Sequence, residues 1–395
     1  MQPVGGPFPE FHLASVIVLV SLLAAIQASA QVASPVIRDS AGVRIVEYRS
    51  RETVRDAPSP FKLESNPWLQ LGGLKENLEE EFDFTHPFLA PTRLSDGRIA
   101  VTDWASIKFF DSTGRFLGSA GRSGRGPGEF TQLRRVCLLR GDTLLAIDYS
   151  DGRLSLWDGQ GNLIRAYTRI GYLATDPCFP DGTLLAQRPP PGKRSAITGP
   201  QRANFARFKL DGTVITEVGD LPLDEYGPIM RLATVIASTD RIYVADAKSY
   251  EVRVKSRSGQ LTWILRVLAP PMEITDDRWR SEIDRRIPPD VPPAQRRAQI
   301  AREMQLPRPD VFPAYRRVRV DPVHRLWIQS YEKPELWTVF DSVGVLLGNV
   351  RLPQFDAGPG VLAAIERNAL AILHPDADGA RRISFYRFTE IQRRK

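Results

Sequence analysis

The chain has 395 residues, of which 42% are hydrophobic and 25% are charged. This much apolar material can form a substantial core and excludes a wholly disordered protein. The formal net charge is +7, and there are two cysteines. Two cysteines exclude a disulfide-dense scaffold and a zinc module with four cysteine ligands.

The first thirty residues have the sequence pattern of an export signal. Leu13–Ile26 is apolar and uncharged, and Ala28-Ser29-Ala30 follows it. A short apolar run before such a site is typical of a cleaved signal peptide, and a membrane span needs about 20 apolar residues. Met1–His12 contains no Lys or Arg, which leaves an uncleaved signal anchor open. We expect a mature chain that begins near Gln31, has no stable membrane span and is periplasmic or extracellular, where nucleic acid is not a partner.

A pattern of strands and turns recurs along the rest of the chain. Short β-branched and aromatic runs alternate with Gly/Asp turns, which is typical of β-meanders. Four such strands in about 40–50 residues is the period of a propeller blade. The copies span residues 93–120, 136–167, 178–218, 237–265, 316–350 and 361–388. They predict an all-β, six-bladed β-propeller over residues 67–390, after an N-terminal extension over residues 31–66.

The two ends of the repeat array complement each other. Trp68–Gly72 has the pattern of an outermost strand with no blade in front of it, and the last copy, ending at Phe388, lacks a fourth strand. Pairing the two ends would leave no severed sheet edge at the ring junction. We therefore predict that the N-terminal strand closes the last blade.

Two stretches carry a family resemblance. Residues 119–130 (SAGRSGRGPGEF) and 141–163 resemble the NHL repeat of β-propeller proteins. Arg319–Ile328 and Trp337–Asp341 are similar to later blades of exported bacterial six-bladed propellers. The resemblance covers roughly residues 40–390 and implies the propeller fold. It does not imply one activity, because this fold hosts binding proteins, lyases and lactonases.

Strand alternation predicts one functional face. With the strands of each blade lettered a to d, the b–c and d–a loops lie on the same side of the disc. Two long insertions fall there: residues 188–204 in blade 3, and residues 269–313 between blades 4 and 5. The second contains predicted helices at Thr275–Arg286 and Ala294–Gln305. This insertion is either a lid or dock for an anionic ligand, or a solvated helical hairpin clamped on the rim.

Three acidic side chains end equivalent b strands on this face. Asp103, Asp148 and Asp246 could form a ring that binds Ca²⁺ through oxygen ligands, although we otherwise expect no cofactor. Aspartates at strand ends also commonly accept hydrogen bonds from the following turn, which is the alternative. Trp104 follows Asp103 and is a candidate for ligand stacking.

Basic and imidazole side chains are the other candidates. The two insertions supply an anionic-ligand patch made of Arg188, Lys193, Arg194 and Arg278. His86, in a d–a connection, and His374, near the end of a b strand, are candidate general bases. The histidines lack the paired spacing of a zinc site.

Cys137 and Cys178 lie at nearly equivalent places in strand a of neighbouring blades. An oxidising compartment permits a disulfide, but the Cα atoms must then lie within about 7 Å. The separation expected between equivalent strands of adjacent blades favours two buried free thiols.

These features predict a monomeric exported binding module whose ligand is a small molecule, a glycan or a protein. The alternative is a hydrolase or lyase, metal-assisted or not, with its site at the axial mouth of the same face. No catalytic constellation in the sequence selects the enzyme.

Overall fold

The computed structural model describes residues 34–73, 81–82, 89–148, 152–167, 173–188, 202–222, 233–288, 291–306, 308, 310–356 and 358–391. The predicted signal segment, residues 1–30, lies outside these ranges, so its cleavage stays a prediction. None of the helices in these ranges has the length and apolar character needed to cross a membrane.

The protein is a six-bladed β-propeller, and each blade is a four-stranded antiparallel meander. Strands a to d of blade 1 are Pro91–Arg93, Ile99–Asp103, Ser106–Phe110 and Phe116–Ala120. Those of blade 2 are Leu133–Leu138, Leu144–Asp148, Arg153–Trp157 and Leu163–Tyr167. Those of blade 3 are Leu173–Cys178, Leu184–Gln187, Arg202–Phe208 and Val214–Pro222.

The second half of the ring follows the same order. Strands a to d of blade 4 are Thr234–Ala237, Arg241–Ala245, Glu251–Ser256 and Leu261–Val267. Those of blade 5 are Val318–Val320, Leu326–Gln329, Leu336–Phe340 and Leu346–Arg351. Those of blade 6 are Val361–Ile365, Ala369–Pro375, Arg381–Glu390 and Leu69–Gly72.

Short paired segments and one helical turn lie between the main strands. The pairs are Arg122–Ser123 with Glu129–Phe130, Met272–Glu273 with Val311–Phe312, and Gln354–Phe355 with Gly358–Pro359. A turn of 3₁₀-helix spans Arg140–Asp142.

The ring is closed by strands from opposite ends of the chain. Leu69 pairs with Phe385 and Gly72 with Arg382 in an antiparallel ladder. Leu69, Leu71 and Phe385 are buried in the same apolar cluster. The predicted closure of the last blade by an N-terminal strand is confirmed.

The N-terminal extension wraps around the outer rim of blades 4 to 6. A hairpin of Val36–Ser40 and Val43–Tyr48 adds to blade 4, where the second strand runs parallel to strand d. Helix α1 (Arg51–Arg55), capped by the Ser50 hydroxyl, then contacts strand d of blade 5. Phe61–Leu63 finally pairs with the end of strand c of blade 6.

The innermost strands converge closely in part of the ring. Cys137 and Cys178 form a disulfide with a Cα–Cα distance of 6.3 Å, so the prediction of free thiols is wrong. The pairing of strand a of blade 3 with its strand b is irregular between Leu173 and Cys178. Strand a of this blade also pairs directly with strand a of blade 4, with Asp176 opposite Ile236. The inner strands therefore approach more closely than a regular radial arrangement predicts.

The large insertion forms the predicted helical hairpin. Helix α2 spans Asp276–Arg286, and helix α3 spans Pro293–Glu303. The Thr275 side chain caps α2, whose first turn is acidic and whose last turn is basic, as the macrodipole favours. Trp279 and Ile283 are fully buried in a cluster against which Tyr331, from the b–c turn of blade 5, packs.

Candidate functional site

Asp103 ends strand b of blade 1 and is engaged within its own blade. Its carboxylate accepts a hydrogen bond from the Trp104 N–H at 3.0 Å and lies 3.2 Å from the Lys108 ammonium. Both side chains of this ion pair are buried. The half-buried Trp104 is also held, because its carbonyl accepts a hydrogen bond from the Leu133 N–H of blade 2. The Trp104 carbonyl therefore joins blade 1 to blade 2.

Asp148, at the end of strand b of blade 2, is bonded to the connection between blades 1 and 2. Its buried carboxylate accepts hydrogen bonds from the N–H groups of Thr131, at 2.6 Å, and Gln132, at 3.1 Å. The Arg153 guanidinium lies 3.4 Å away. Asp148 therefore fixes the connection that leads from blade 1 into blade 2.

Asp246 is half-buried and accepts a hydrogen bond from the Lys248 N–H at 3.0 Å, in the b–c turn of blade 4. In the part of the chain that the structure describes, no three His, Cys, Asp or Glu side chains come close enough to share a metal ion. The three aspartates thus do not form a ring of ligands. Each of them orders a turn.

Of the predicted anionic-ligand patch, two members can be placed. The Arg188 guanidinium forms an ion pair with Glu217 of its own blade. The exposed Arg278, in the first turn of α2, lies 3.6 Å from Glu332 in the b–c turn of blade 5. Lys193, Arg194 and His86 lie outside the described residues, so their roles stay predictions.

His374 is buried, and both of its ring nitrogens are hydrogen-bonded. Nδ1 lies 2.8 Å from the Pro375 carbonyl and must donate to it, so in the neutral ring Nε2 accepts from the Ser384 hydroxyl at 2.8 Å. The ring stacks on Phe355 with a centroid distance of 3.7 Å. Burial lowers the pKa of His374. Ser384 also accepts a hydrogen bond from Gln70 of the closing strand, so His374 supports the ring junction.

Two adjacent arginines at the start of the inner strand of blade 5 were not among the predicted site residues. Arg316 is half-buried, donates to the Tyr331 carbonyl at 3.3 Å and lies over the Tyr331 ring. Arg317 is exposed, and within the described residues its guanidinium has no hydrogen-bond or ion-pair partner. The sequence signal was the pair of cations directly before the innermost strand Val318–Val320. This signal was hidden by the general abundance of arginine.

The helical hairpin has a basic outer surface, which we call the hairpin surface. It consists of Arg280, Arg297 and Arg302, which are exposed and whose guanidinium groups have no hydrogen bond or ion pair to any described residue. Three acidic side chains of α2, Asp276, Glu282 and Asp284, are paired with other arginines. The guanidinium groups of Arg280, Arg297 and Arg302 have no such ion-pair partner among the described residues.

Comparison with known proteins supports the fold alone. No protein-family model and no curated protein matches the chain, so the NHL resemblance stays a prediction. A proposed exported protein from Bacteroides fragilis superimposes with a TM-score of 0.55 at 10% identity, covering 88% of this chain and 100% of that one. A DUF4221 family member from Bacteroides vulgatus gives 0.49 at 11% identity, covering 84% and 99%. A streptogramin B lyase gives 0.39 at 10% identity, covering 85% and 88%.

Proposed function

We propose that the protein is an exported β-propeller that binds an anionic partner, a glycan or a protein, through the face of the b–c and d–a loops. The hairpin surface on that face is the observation that carries the proposal. Export is supported by the apolar segment Leu13–Ile26 and its Ala-Ser-Ala site, and by the exported character proposed for the Bacteroides fragilis neighbour.

The hairpin is a firm platform for binding. Trp279 and Ile283 are fully buried beneath it, and Tyr331 packs against them from blade 5. The Arg296 guanidinium also bonds to Asp284 at 2.6 Å, which joins the two helices. Because the helices are held by a core, binding a partner requires little further ordering of the backbone.

The three arginines of the hairpin surface favour an anionic partner. Glu282 pairs with Arg285, Asp284 with Arg296, and Asp276 with Arg308. The three arginines of the hairpin surface remain without such partners among the described residues. Guanidinium groups bind carboxylate, phosphate and sulfate groups through paired hydrogen bonds. A basic surface also accelerates encounter with an anion at low salt.

The described candidate catalytic groups are already hydrogen-bonded within the fold, which favours binding over catalysis. Asp103 and Asp148 already accept hydrogen bonds from backbone N–H groups of their turns. Both nitrogens of the buried His374 are likewise engaged. These three side chains are thus engaged in holding the fold together.

The test uses heparin as a polyanionic probe and the mature chain from Gln31. In the variant R280Q/R297Q/R302Q we expect about tenfold weaker binding at low salt, because each exposed contact contributes about 0.5 kcal/mol. A matched control replaces three exposed cations of the opposite face, Arg140, Lys209 and Arg367, and should keep its affinity. Equal losses in the two variants, or no loss in the first, would refute the proposal.

A further inference from the structure

A recess lies between blades 4 and 5, where the N-terminal extension meets the large insertion. Helix α1 forms part of its wall, together with strand c and the b–c turn of blade 5 and the chain on either side of the helical hairpin. Its volume is about 410 Å³, part of which is open to solvent. Small-molecule sites in proteins have volumes of about 300–1,000 Å³. The recess therefore has the size of a site for a small ligand.

The walls of the recess are mainly apolar. Six apolar or aromatic residues line it: Val54, Tyr250, Met272, Ala314, Tyr331 and Leu336. Placing an apolar group against such walls removes both surfaces from water, which is favourable. Pockets with apolar walls and a few polar groups are typical of small-molecule sites. The ligand that fits these walls carries an apolar ring.

Contacts behind the walls hold them in place. The Tyr331 ring packs against Phe312 with a centroid distance of 5.3 Å, and the Tyr250 ring packs edge-on against Tyr315 at 5.5 Å. The Asn349 amide of blade 5 donates to carbonyl groups at the end of α1, which fixes this helix against the blade. Because its walls are already ordered, the recess binds a ligand at little cost in conformational entropy.

Arg51, at the start of α1, is the polar group of the recess that the fold leaves unused. Its guanidinium has no hydrogen bond or ion pair to any described residue, although its Nε is buried. The other two charged residues of the lining are engaged: Arg55 pairs with Asp56, and Glu332 lies 3.6 Å from Arg278. A buried donor without an acceptor is unfavourable, and an oxygen atom of a ligand would remove this cost.

We infer that the recess binds a small carboxylic acid with a single apolar ring, whose carboxylate is bonded by Arg51 and whose ring contacts the apolar walls. The planar guanidinium can bond both oxygens of a carboxylate. Because part of the volume is open to solvent, the enclosed space suits one ring rather than a chain of linked units. This site goes beyond the proposed function, because it uses neither the hairpin surface nor a macromolecular partner.

The experiment titrates the mature chain from Gln31 with benzoate, benzyl alcohol and acetate, and follows binding by NMR. We expect saturable binding of benzoate, at least about tenfold tighter than that of benzyl alcohol, which lacks the charge, or acetate, which lacks the ring. R51Q should bind benzoate about tenfold more weakly, because a charge-assisted contact is lost. R51K should recover part of this affinity, since it restores the charge without the planar fork. The matched control R49Q replaces an exposed arginine outside the recess and should bind benzoate as the wild type does.

Two further readouts guard against misfolding. R51Q should bind benzyl alcohol as the wild type does, because the apolar walls are unchanged. Bound benzoate should raise the melting temperature of the wild type and of R49Q more than that of R51Q. Unchanged benzoate affinity in R51Q, an equal loss in R49Q, or no saturable binding of benzoate to the wild type would overturn the inference. R280Q/R297Q/R302Q should still bind benzoate, and R51Q should still bind heparin, so the two proposals are tested separately.

Discussion

Gly348 lies directly against the backbone carbonyl of Pro58, so that a Cβ atom on Gly348 would overlap the Pro58 oxygen. Gly348 is in strand d of blade 5, and Pro58 belongs to the N-terminal extension that covers this strand. Gly118 has the matching position in blade 1, with nearly the same φ of 142° against 141°. Nothing lies within 4 Å of a Cβ built on Gly118. The two glycines therefore differ in one respect, because only Gly348 is covered by the N-terminal extension.

We predict that G348A destabilises the protein more than G118A does. Both substitutions place a side chain at a positive φ, so this cost is shared. Only G348A forces the extension away from blade 5, which adds roughly 1–3 kcal/mol. Urea unfolding of both variants measures the difference, and equal losses would show that the extension does not dock on blade 5.

The Cys137–Cys178 disulfide is predicted to stabilise the inner part of blades 2 and 3. The cysteines are 41 residues apart, and a loop of this length contributes up to about 4 kcal/mol by restricting the unfolded chain. C137A/C178A should therefore melt at a lower temperature than the oxidised wild type. A reductant should lower the wild-type melting temperature and leave that of the variant unchanged. A reductant effect of equal size on both proteins would contradict the bond.

The ion pair of Arg325 with Asp321 is predicted to be critical for stability. Asp321 is fully buried and also accepts a hydrogen bond from the Trp327 indole. R325M would leave a buried carboxylate without its cation, at a cost of roughly 3–5 kcal/mol. Arg115 and Asp111 form a pair of the same spacing at an exposed turn, and R115M should cause no measurable change. Denaturant unfolding of the two variants tests the contrast. Similar midpoints would contradict it.

His374 predicts a pH dependence of stability. Burial holds its pKa below the ordinary value of 6.5, while the nearby Arg382 lowers it and Asp376 raises it. The unfolded chain thus binds more protons than the folded one as the pH falls below about 6.5, and stability is lost in that direction. H374Q should flatten the dependence of the urea midpoint between about pH 5 and 8. An unchanged pH profile in H374Q would assign the dependence to other groups.

The ring and its closure follow from local patterns. The recurrence of strands and turns predicted the blades. Trp68–Gly72 has the pattern of an outermost strand with no blade in front of it, and this predicted the closing strand. Helix α2 was also predictable, because Thr275 and the charges of the first and last turns mark its ends. Each of these features is encoded within one element or in a repeat that can be compared with itself.

Features that depend on distant neighbours were not predictable. The Asn349 side chain donates to the carbonyls of Val54, Arg55 and Ala57, but nothing near Asn349 in the sequence announces a partner almost 300 residues away. The disulfide depends on the close approach of two inner strands, and Cys178 lies at the end of an irregular pairing in blade 3.

The junction between Leu69–Gly72 and Arg381–Glu390 also constrains how the protein is made. The ribosome synthesises one of these segments near the start and the other near the end, so the early segment has no partner during most of translation. Contacts over such sequence distances form slowly, and an unpaired strand edge invites aggregation in the meantime. The ring therefore closes only after translation. A nascent chain that stalls before its last blade keeps an unpaired strand edge that a chaperone can bind.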